Sequence, residues 1–494
     1  MLAETTSFTL EGITARPVKV EVDIHRGLPS FQIVGLPDAA VREARERVRA
    51  ALVNTGFEFP LRRITANLAP ADLRKAGPGL DLALATGLLA ASGELPPDRL
   101  TGWAFAGELA LDGSVRPVRG ALAMTEAARE CSCRGIILPA ANGPEAALAP
   151  GIEVRTIDSI AELRQFRGGD VPGHRPEPAE PVSGDSLPDL RDLRGQANLR
   201  RAIEVAAAGG HSLLMVGPPG SGKSLAARRI PSVLPPLASD EILEVARIAG
   251  VCGAGSLRAE RPFRAPHHTV SAAGLVGGGS PPRPGEITLA HRGVLFLDEL
   301  CEFRRPALEA LREPLESGEV SISRVNGRRT LPADFTLIAA ANPCPCGRGE
   351  EDPECECSPA AVARYKGTLS GALADRIDII VGVTQPDPEA MAGGDGECSS
   401  AVRARVSAAR ERMRERLGAG RPNAAATRSE VSQFELEACA RDLLVEAGRS
   451  RRLSGRSHDR ILRLARTVAD LDGSGPVRED HLAGALQLRR RSGS

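Results

Sequence analysis

Residues 217–224 read GPPGSGKS, a run that few folds can accommodate. It fits the pattern G-x-x-x-x-G-K-[ST], and it lies between an apolar run, His211 to Val216, and a helix-like stretch, Leu225 to Ile230. In such a strand–loop–helix setting, glycines let backbone N–H groups converge on phosphates, and the helix N-terminus adds positive potential. The alternative is a glycine-rich turn with a chance lysine. Because motif and context agree, the sequence predicts a nucleoside triphosphate site.

The loop residues have distinct predicted roles, with ATP and Mg²⁺ as the expected cofactors. We expect Lys223 to reach the β- and γ-phosphates, and Ser224 to ligate Mg²⁺. The predicted nucleotide-binding residues are Gly217, Pro218, Pro219, Gly220, Ser221, Gly222, Lys223 and Ser224, together with Asp298.

Two later strands end in polar residues that suit the same chemistry. The run Gly293 to Leu297 is apolar and ends in Asp298-Glu299. We expect Asp298 to hold Mg²⁺ through water and Glu299 to orient the attacking water, unless the strand simply ends in acidic surface residues. A second strand ends at Asn342, which fits a sensor of the γ-phosphate or the lytic water; an ordinary turn asparagine is the alternative.

Two arginines complete the predicted catalytic set. Arg376 could reach the nucleotide of a neighbouring subunit and stabilise the charge of the phosphoryl-transfer transition state. Arg456 precedes a helix and could couple nucleotide state to a helical lid, with Arg460 as the competing choice. The alternative for both is a surface arginine without a catalytic role.

Composition restricts the partners that the chain could have. The 494 residues suggest roughly three domains. Lys+Arg and Asp+Glu number 63 each, so a nucleic-acid partner would need local basic patches. No apolar run approaches the roughly 20 residues that cross a bilayer, and the start, MLAETTSFTLEG, shows no signal peptide. We therefore expect a cytoplasmic protein without a membrane partner.

Composition shifts predict the domain boundaries. Residues 1–167 alternate strand-like and helix-like segments, and 168–188 are a linker rich in Pro, Gly and acids. Residues 189–385 carry the phosphate-loop motif and further strand–helix alternation. Residues 386–494 begin with a Pro/Gly-rich stretch and continue as helices rich in Ala, Leu and Arg.

Several strings resemble the YifB/ComM family of magnesium-chelatase-like AAA+ ATPases over nearly the whole length. These strings are Gly195-Gln196, AAAGGHSLLMVGPPGSGKS, RPFRAPHHTVSAAGLVGGG, PGEITLAHRGVLFLDEL, LREPLESGEVSISRV, NPCPCG and SGALADRIDI. The resemblance implies an α/β protein with three parts: an N-terminal Lon-protease-like (ribosomal S5 domain 2-like) α+β domain, a central AAA+ P-loop domain and a C-terminal helical lid. It also implies a homo-hexameric ring of the helix-2-insert group.

For the competence members, the resemblance implies ATP-driven branch migration of DNA during natural transformation, with single-stranded or branched DNA as partner. The alternative is a chelatase-like ATPase that remodels a protein partner. DNA-stimulated, salt-sensitive ATPase activity would distinguish the two.

Two elements fit the pore-facing segments that the resemblance implies. Ala273 to Gly285 has a composition that predicts no regular element and suits the helix-2 insert. Residues 320–331 alternate around Asn326-Gly327 and predict a hairpin. Its arginines, Arg324, Arg328 and Arg329, could grip DNA phosphates, or form a solvated charged end. The pair His267-His268 has no third metal ligand at suitable spacing, and we expect a structural or nucleotide-coupled role there.

Four cysteines crowd into 14 residues directly after Asn342. They form two C-x-C pairs, Cys344/Cys346 and Cys355/Cys357, and four sulfurs suit tetrahedral Zn²⁺. The pairs are tighter than the usual C-x₂-C, and the alternative is four reduced or redox-labile thiols. Cys131 and Cys133 have no second pair nearby and are expected to be ordinary thiols.

The N-terminal region resembles the Lon-protease fold but is not expected to cleave peptides. Gly79 stands at the position of the catalytic serine and Leu122 at that of the lysine, so both the nucleophile and its base are missing. We expect a structural or DNA-engaging domain. A basic face could come from Arg42, Arg45, Arg47, Arg49, Arg62 and Arg63, but Glu43 and Glu46 make a solvated helix face an equal alternative.

Overall fold

A computed structural model describes residues 2–180, 187–253, 257–279, 283–324, 327–349, 352–369, 373–385, 396–418, 420–450 and 453–489. They fall into two compact units. The first comprises Met1–Val182, Ser239–Arg258 and Gly278–Pro284; the second comprises Ser183–Ala238, Ala259–Gly277 and Gly285–Ser494. The sequence prediction placed Ser239–Arg258 and Gly278–Pro284 within residues 189–385, whereas this division groups both with the first unit.

A mixed seven-stranded sheet organises the first unit, in the order β3-β4-β2-β1-β5-β8-β9. The long hairpin β1/β2 is antiparallel, and β5, β8 and β9 continue the sheet in parallel from β1. The strands are β1 (Leu2–Glu11), β2 (Thr14–His25), β3 (Ser30–Val34), β4 (Arg63–Ala69), β5 (Trp103–Phe105), β8 (Gly135–Pro139) and β9 (Glu153–Ile157), with a separate ribbon of β6 (Glu108–Leu109) and β7 (Val115–Arg116).

The helices Ala39–Asn54, Asp81–Ala91 and Ala121–Glu130 of the first unit lie against this sheet. Every residue of Asp81–Ala91 is buried, as its almost wholly apolar sequence predicts. Ala39–Asn54 begins where the Asp38 side chain accepts a hydrogen bond from the backbone N–H of Val41. The α-helices are Ala39–Asn54, Asp81–Ala91, Pro97–Leu100, Ala121–Glu130, Gly143–Ala146, Gln165–Gly168 and Ser239–Cys252.

The second unit contains a five-stranded sheet in the order β11-β14-β17-β10-β18, and its neighbouring strands are all parallel. Its strands are β10 (Leu213–Val216), β11 (Phe263–Arg264), β14 (Val294–Leu297), β17 (Thr336–Ala341) and β18 (Ile379–Gly382). The ribbon of β15 (Glu319–Arg324) with β16 (Gly327–Pro332) is separate from this sheet. A further ribbon pairs β12 (Gly277–Gly278) with β13 (Arg283–Pro284), and the division groups Gly278–Pro284 with the first unit.

The second unit also contains α-helices, which are the main regular elements of its C-terminal part. The α-helices are Ala197–Gly209, Lys223–Ala227, Ile230–Val233, Ala272–Val276, Glu286–Leu289, Arg305–Glu309, Arg312–Ser317, Pro359–Leu369, Ser399–Leu417, Arg428–Val431, Ala438–Ser450, Gly455–Leu471 and Glu479–Gln487. A mixed α/β architecture with a parallel sheet and a helical C-terminal region is therefore confirmed. Within the described ranges, no helix is both long and apolar enough to cross a bilayer.

Two local predictions differ from the structure. The helix expected from Leu225 to Ile230 instead runs over Lys223–Ala227 and stops, because the ring of Pro231 would clash with the carbonyl of Ala227 in a continuous helix. The expectation of irregular backbone from Ala273 onward is wrong at its start, since Ala272–Val276 forms a short helix. Its cap is Ser271, whose hydroxyl accepts the N–H of Gly274 at 3.0 Å. Residues 280–282 of the same segment lie outside the described residues.

Candidate nucleotide-binding site

The strand order of the second sheet brings three chain segments to one edge. Strands β10, β17 and β14 are parallel neighbours, so their carboxyl ends point the same way. The phosphate-loop motif follows β10, Asn342 follows β17, and Asp298 follows β14. Since β17 lies between the other two, Asn342 is placed between the loop and the acidic pair.

The loop conformation depends on its glycines. A Cβ atom at Gly217 would lie 2.1 Å from the carbonyl oxygen of Val383, so no larger residue fits there. The backbone N–H of Gly217 donates to Ala341 at 3.2 Å. Gly222 has a φ of +90° and precedes the helix that starts at Lys223, a conformation that glycine adopts without strain. The loop is therefore held against both neighbouring strands.

Lys223 points back across the loop. Its Nζ donates to the carbonyl oxygens of Gly217 and Pro218 at 2.7 Å each, and lies 3.4 Å from Oδ1 of Asn342. Burial lowers the pKa of Lys223 from its usual value, and the charge of Asp298 opposes that shift. The ammonium group is thus positioned beside the place where phosphate oxygens would bind the loop.

Ser224 and Asp298 form the oxygen pair expected of a magnesium site. The Ser224 hydroxyl donates to Oδ2 of Asp298 at 2.6 Å, although 74 residues separate them in sequence. Oδ1 of Asp298 accepts the backbone N–H of Glu299 at 3.0 Å. A hydroxyl and a carboxylate side by side are hard oxygen ligands, so the residues present fit Mg²⁺.

Glu299 is held in an unusual backbone conformation beside a histidine. Its φ is +51°, a left-handed value that costs a non-glycine residue about 1–3 kcal/mol. Its Oε2 lies 3.2 Å from Nδ1 of His268, and the glutamate side chain is 55% exposed. The sequence did not predict this contact. The contact follows from the parallel pairing of β11 with β14, which puts the residues after each strand at the same edge of the sheet.

The predicted arginines occupy three different settings. Arg376 is 11% exposed and pairs with Glu316 on the helix Arg312–Ser317. Arg456 lies in the first turn of Gly455–Leu471 and is exposed. Arg460, the competing choice, is 3.4 Å from Asp378 and only 12% exposed. Of the last two, Arg456 is thus the one with a side chain available to a ligand.

A buried polar chain joins the base of β10 to the C-terminal helices. His211 is fully buried; its Nδ1 lies 3.2 Å from Oδ2 of Asp378, and its Nε2 lies 2.8 Å from the hydroxyl of Thr467. Burial alone would raise the pKa of Asp378, but the hydrogen bond with His211 and the charges of Arg460 and Arg489 bring it below its usual value. The helical region is therefore linked to the strand that carries the loop.

The four predicted metal ligands also come together. The sulfur atoms of Cys344, Cys346, Cys355 and Cys357 all lie within 4.8 Å of one another. This is the only group of three or more His, Cys, Asp or Glu ligands found in the described part of the chain.

Three family models match the chain, and all three describe the same subunit of magnesium chelatase, ChlI. Residues 189–391 match magnesium chelatase, subunit ChlI. Residues 20–142 match subunit ChlI of Mg-chelatase, and 396–489 match the ChlI C-terminal model.

Similarity to individual proteins extends over nearly the full length. YifB of Escherichia coli K12 is 43% identical over 489 residues, which cover 97% of this chain and 95% of YifB. Competence protein ComM of Haemophilus influenzae is 42% identical over 490 residues, with the same two coverages. This chain belongs to the YifB/ComM family of magnesium-chelatase-like AAA+ ATPases. Lon protease 2 of Bacillus subtilis is 28% identical over 223 residues, 39% of each chain, which is a partial likeness.

Membership of the YifB/ComM family supports an ATPase that uses a nucleotide and Mg²⁺.

The hairpin predicted around Asn326 forms as β15 and β16, in the register that pairs Ile322 with Arg329. Directly opposite residues share a face, so Arg329 lies on the side of the hairpin where Ile322 is buried. Asn326 lies outside the described residues, as do the side chains of Arg324 and Arg328.

The two predicted protease-like positions, Gly79 and Leu122, lie in apolar surroundings. Gly79 faces apolar atoms: a Cβ there would lie 3.5 Å from Val118 and 4.0 Å from Met124. Leu122 is completely buried.

The arginines predicted as a basic face of the first unit include one that faces inward. Arg47 donates to both carboxylate oxygens of Asp81, at 2.6 and 2.9 Å, and Asp81 is fully buried. Arg49 lies over the ring of Phe59, 5.5 Å from its centre. These two side chains therefore have structural partners within the unit.

Proposed function

We propose that this protein is an ATP-hydrolysing ring motor that acts on DNA, assembles as a homo-hexamer and drives branch migration. The observation that carries the proposal is the convergence of Lys223, the Ser224–Asp298 pair and Glu299 at one sheet edge. The near-full-length similarity to a protein named as a competence protein supports DNA as the substrate.

Each residue of the site has a defined task in hydrolysis. Ser224 and Asp298 would hold Mg²⁺, which neutralises charge on the phosphates when it is bound. Lys223 contacts the β- and γ-phosphates, while Glu299 orients the attacking water.

Two further groups act on the transferred phosphoryl. Asn342 reaches the γ-phosphate or the water from between the loop and the acids. Arg376 of a neighbouring subunit leaves its ion pair with Glu316 to stabilise the developing charge. Arg456 has a different task, which is to report the nucleotide state to the helical lid.

DNA contacts are assigned to local basic elements, because the chain has a formal net charge of zero. The hairpin β15/β16 carries Arg324, Arg328 and Arg329 at or near its end. Contacts from such residues to phosphates carry no sequence information, which suits a motor that moves along any DNA.

A second candidate function is remodelling of a protein partner without DNA. It is favoured by the three matches to a magnesium chelatase subunit, which together extend from residue 20 to residue 489. The nucleotide chemistry would be the same, and only the substrate in the ring would differ.

The two candidates differ in how ATP hydrolysis responds to DNA. The experiment measures the steady-state ATPase rate with single-stranded, duplex and four-way-junction DNA at two salt concentrations, with Lys223→Ala as the control for contaminating activity. Stimulation that is greatest on junctions and weakened by salt supports the DNA motor. A rate that no DNA changes rejects it in favour of remodelling.

A further inference from the structure

The sulfur positions of Cys344, Cys346, Cys355 and Cys357, here called the four-cysteine cluster, match a metal-binding geometry. Zn–S bonds of about 2.3 Å in a tetrahedron place the sulfur atoms about 3.8 Å apart. Three of the separations are 3.3 Å (Cys344–Cys346), 3.8 Å (Cys344–Cys355) and 3.6 Å (Cys346–Cys355). These three separations are close to those of a tetrahedral thiolate site, and the sulfur of Cys357 lies within 4.8 Å of the other three.

Disulfide bonds do not explain this arrangement. A disulfide needs about 2.05 Å between its sulfur atoms, well below the three separations above. All four cysteines are free. Without a shared ligand, four thiols gain little from this approach, whereas a soft divalent metal binds all of them at once.

The backbone around Cys344 is arranged to support a sulfur ligand. Cys344 is fully buried, and its sulfur accepts the backbone N–H of Gly349 at 3.2 Å. Its carbonyl oxygen accepts the N–H of Gly347 at 3.0 Å, which closes a tight turn between Cys344 and Cys346. Hydrogen bonds to ligating atoms orient them and stabilise the charged form that binds metal.

The second cysteine pair lies on a segment that has no apolar anchor of its own. Residues 352–358, DPECECS, include no buried side chain. The segment is joined to the first cysteine turn by the Arg348–Glu354 ion pair and by the sulfur contacts of Cys355. A metal that binds both pairs would cross-link the two halves and supply the free energy that orders them.

The first cysteine turn also lies against the phosphate-binding loop. A Cβ atom at Gly347 would be 2.9 Å from Cδ of Pro219 and 3.9 Å from Cγ of Asn342. Pro219 is in the middle of the loop, and Asn342 contacts Lys223. The turn between the first two cysteines is therefore packed directly on the site that would bind the γ-phosphate.

We propose that the four-cysteine cluster binds one Zn²⁺, and that the metal-held turn braces the phosphate-binding loop and Asn342. Binding releases the thiol protons to solvent, and the zinc exchanges its waters for sulfur ligands. The metal has a structural role, because four protein ligands leave no open position for a substrate. The brace rests on the proposed nucleotide-binding role of the loop, whereas metal binding by the cluster does not.

The metal content of the purified full chain tests the first half. We expect about one zinc per chain in the wild type and in Cys131→Ser, an exposed cysteine from the other C-x-C pair, and less than about a tenth in Cys346→Ser/Cys355→Ser. A mercurial thiol reagent added to the folded wild type should release the zinc, which avoids reliance on a variant that misfolds. A wild type without zinc after zinc supplementation, or zinc that persists in the double variant, overturns the site.

Nucleotide affinity tests the brace. Zinc is removed from the wild-type chain with a chelator, Mg²⁺ is restored, and binding of a fluorescent ATP analogue is titrated. We expect affinity to fall about tenfold, equivalent to about 1.4 kcal/mol, and to recover with zinc but not with extra Mg²⁺. Equal affinity with and without zinc overturns the brace. A zinc-loaded chain that binds no nucleotide refutes the ATPase proposal and the brace, but leaves the metal site standing.

Discussion

Nδ1 of His268 lies 3.2 Å from Oε2 of Glu299, so the carboxylate that is proposed to orient water is itself oriented by a neighbouring side chain. The ring centre of His268 lies 4.1 Å from that of His267 and 6.4 Å from that of Phe303, so two neighbouring rings pack against it. The His268 side chain is 30% exposed, so this contact is neither free in solvent nor part of the core.

Replacing His268 should slow catalysis more than it weakens binding. In His268→Ala the Glu299 carboxylate gains rotamer freedom, and we expect kcat to fall about tenfold, equivalent to about 1.4 kcal/mol of barrier. ATP affinity should change less than about twofold, because the phosphate contacts remain. His268→Gln should restore part of the rate by supplying a hydrogen-bond donor.

His267→Ala is the matched control, since the Nδ1 of His267 contacts Thr269 rather than the acidic pair. Steady-state kinetics and analogue binding measure the two quantities separately. Equal losses in His267→Ala and His268→Ala would show that the segment acts only as packing.

Two substitutions separate nucleotide binding from hydrolysis. Lys223→Ala removes the ammonium group that lies across the loop, and we expect it to abolish ATP binding in an equilibrium titration. Glu299→Gln keeps the side chain's size but not its charge, so it should bind ATP normally and lose at least about 100-fold in turnover. Turnover near the wild-type rate in Glu299→Gln would overturn its water-orienting role.

Local patterns in the sequence were enough to predict the strands that carry this candidate site. The apolar runs before Gly217 and Asp298 form β10 and β14, because short runs of this kind bounded by polar residues suit buried parallel strands. The position of Asn342 between loop and acids depends instead on which strands pair. The pairing of β10 with β17 joins residues more than 100 apart, and that of β14 with β17 joins residues 42 apart, so no local pattern specifies either.

The His268–Glu299 contact was not predicted for the same reason, because it depends on the pairing of β11 with β14 and no local pattern specifies that pairing.

The two errors in helix prediction, at Leu225–Ile230 and at Ala273–Gly285, have local causes. Pro231 marks the end of the loop helix, and Ser271 marks the start of Ala272–Val276. Both residues are ordinary helix-ending and helix-starting signals in the sequence.

Arg376 should act across a subunit interface. Arg376→Ala alone should lose hydrolysis, because its neighbour's site lacks the stabilising charge. Mixing it with Lys223→Ala should restore activity, since a Lys223→Ala subunit cannot bind ATP but still offers Arg376 to the intact site next to it.

ATPase rates across mixing ratios measure this complementation, and mixing of Lys223→Ala with Glu299→Gln serves as the control. Neither of those subunits has a site that can both bind and hydrolyse ATP, so their mixture should stay inactive. An Arg376→Ala preparation that hydrolyses ATP at the wild-type rate by itself would exclude the role in trans.

Arg47 should matter for stability of the first unit rather than for DNA. Arg47→Ala leaves the buried Asp81 carboxylate unpaired, and we expect the free energy of unfolding to fall by about 3–5 kcal/mol. Trp103 is the only tryptophan and is buried in this unit, so its fluorescence during urea denaturation reports on this unit.

Arg42→Ala, at an exposed position of the same helix, should change that free energy by no more than about 0.5 kcal/mol. If Arg47→Ala left the denaturation curve unchanged and weakened DNA binding instead, the basic-face interpretation would replace the structural one.

The most direct test of a DNA motor follows a labelled four-way junction through branch migration. With ATP and Mg²⁺ the wild-type protein should convert the junction into forked duplexes. The Glu299→Gln variant should bind the junction without converting it. Conversion that proceeds without ATP, or a wild-type protein that hydrolyses ATP and binds the junction but never converts it, would contradict the account.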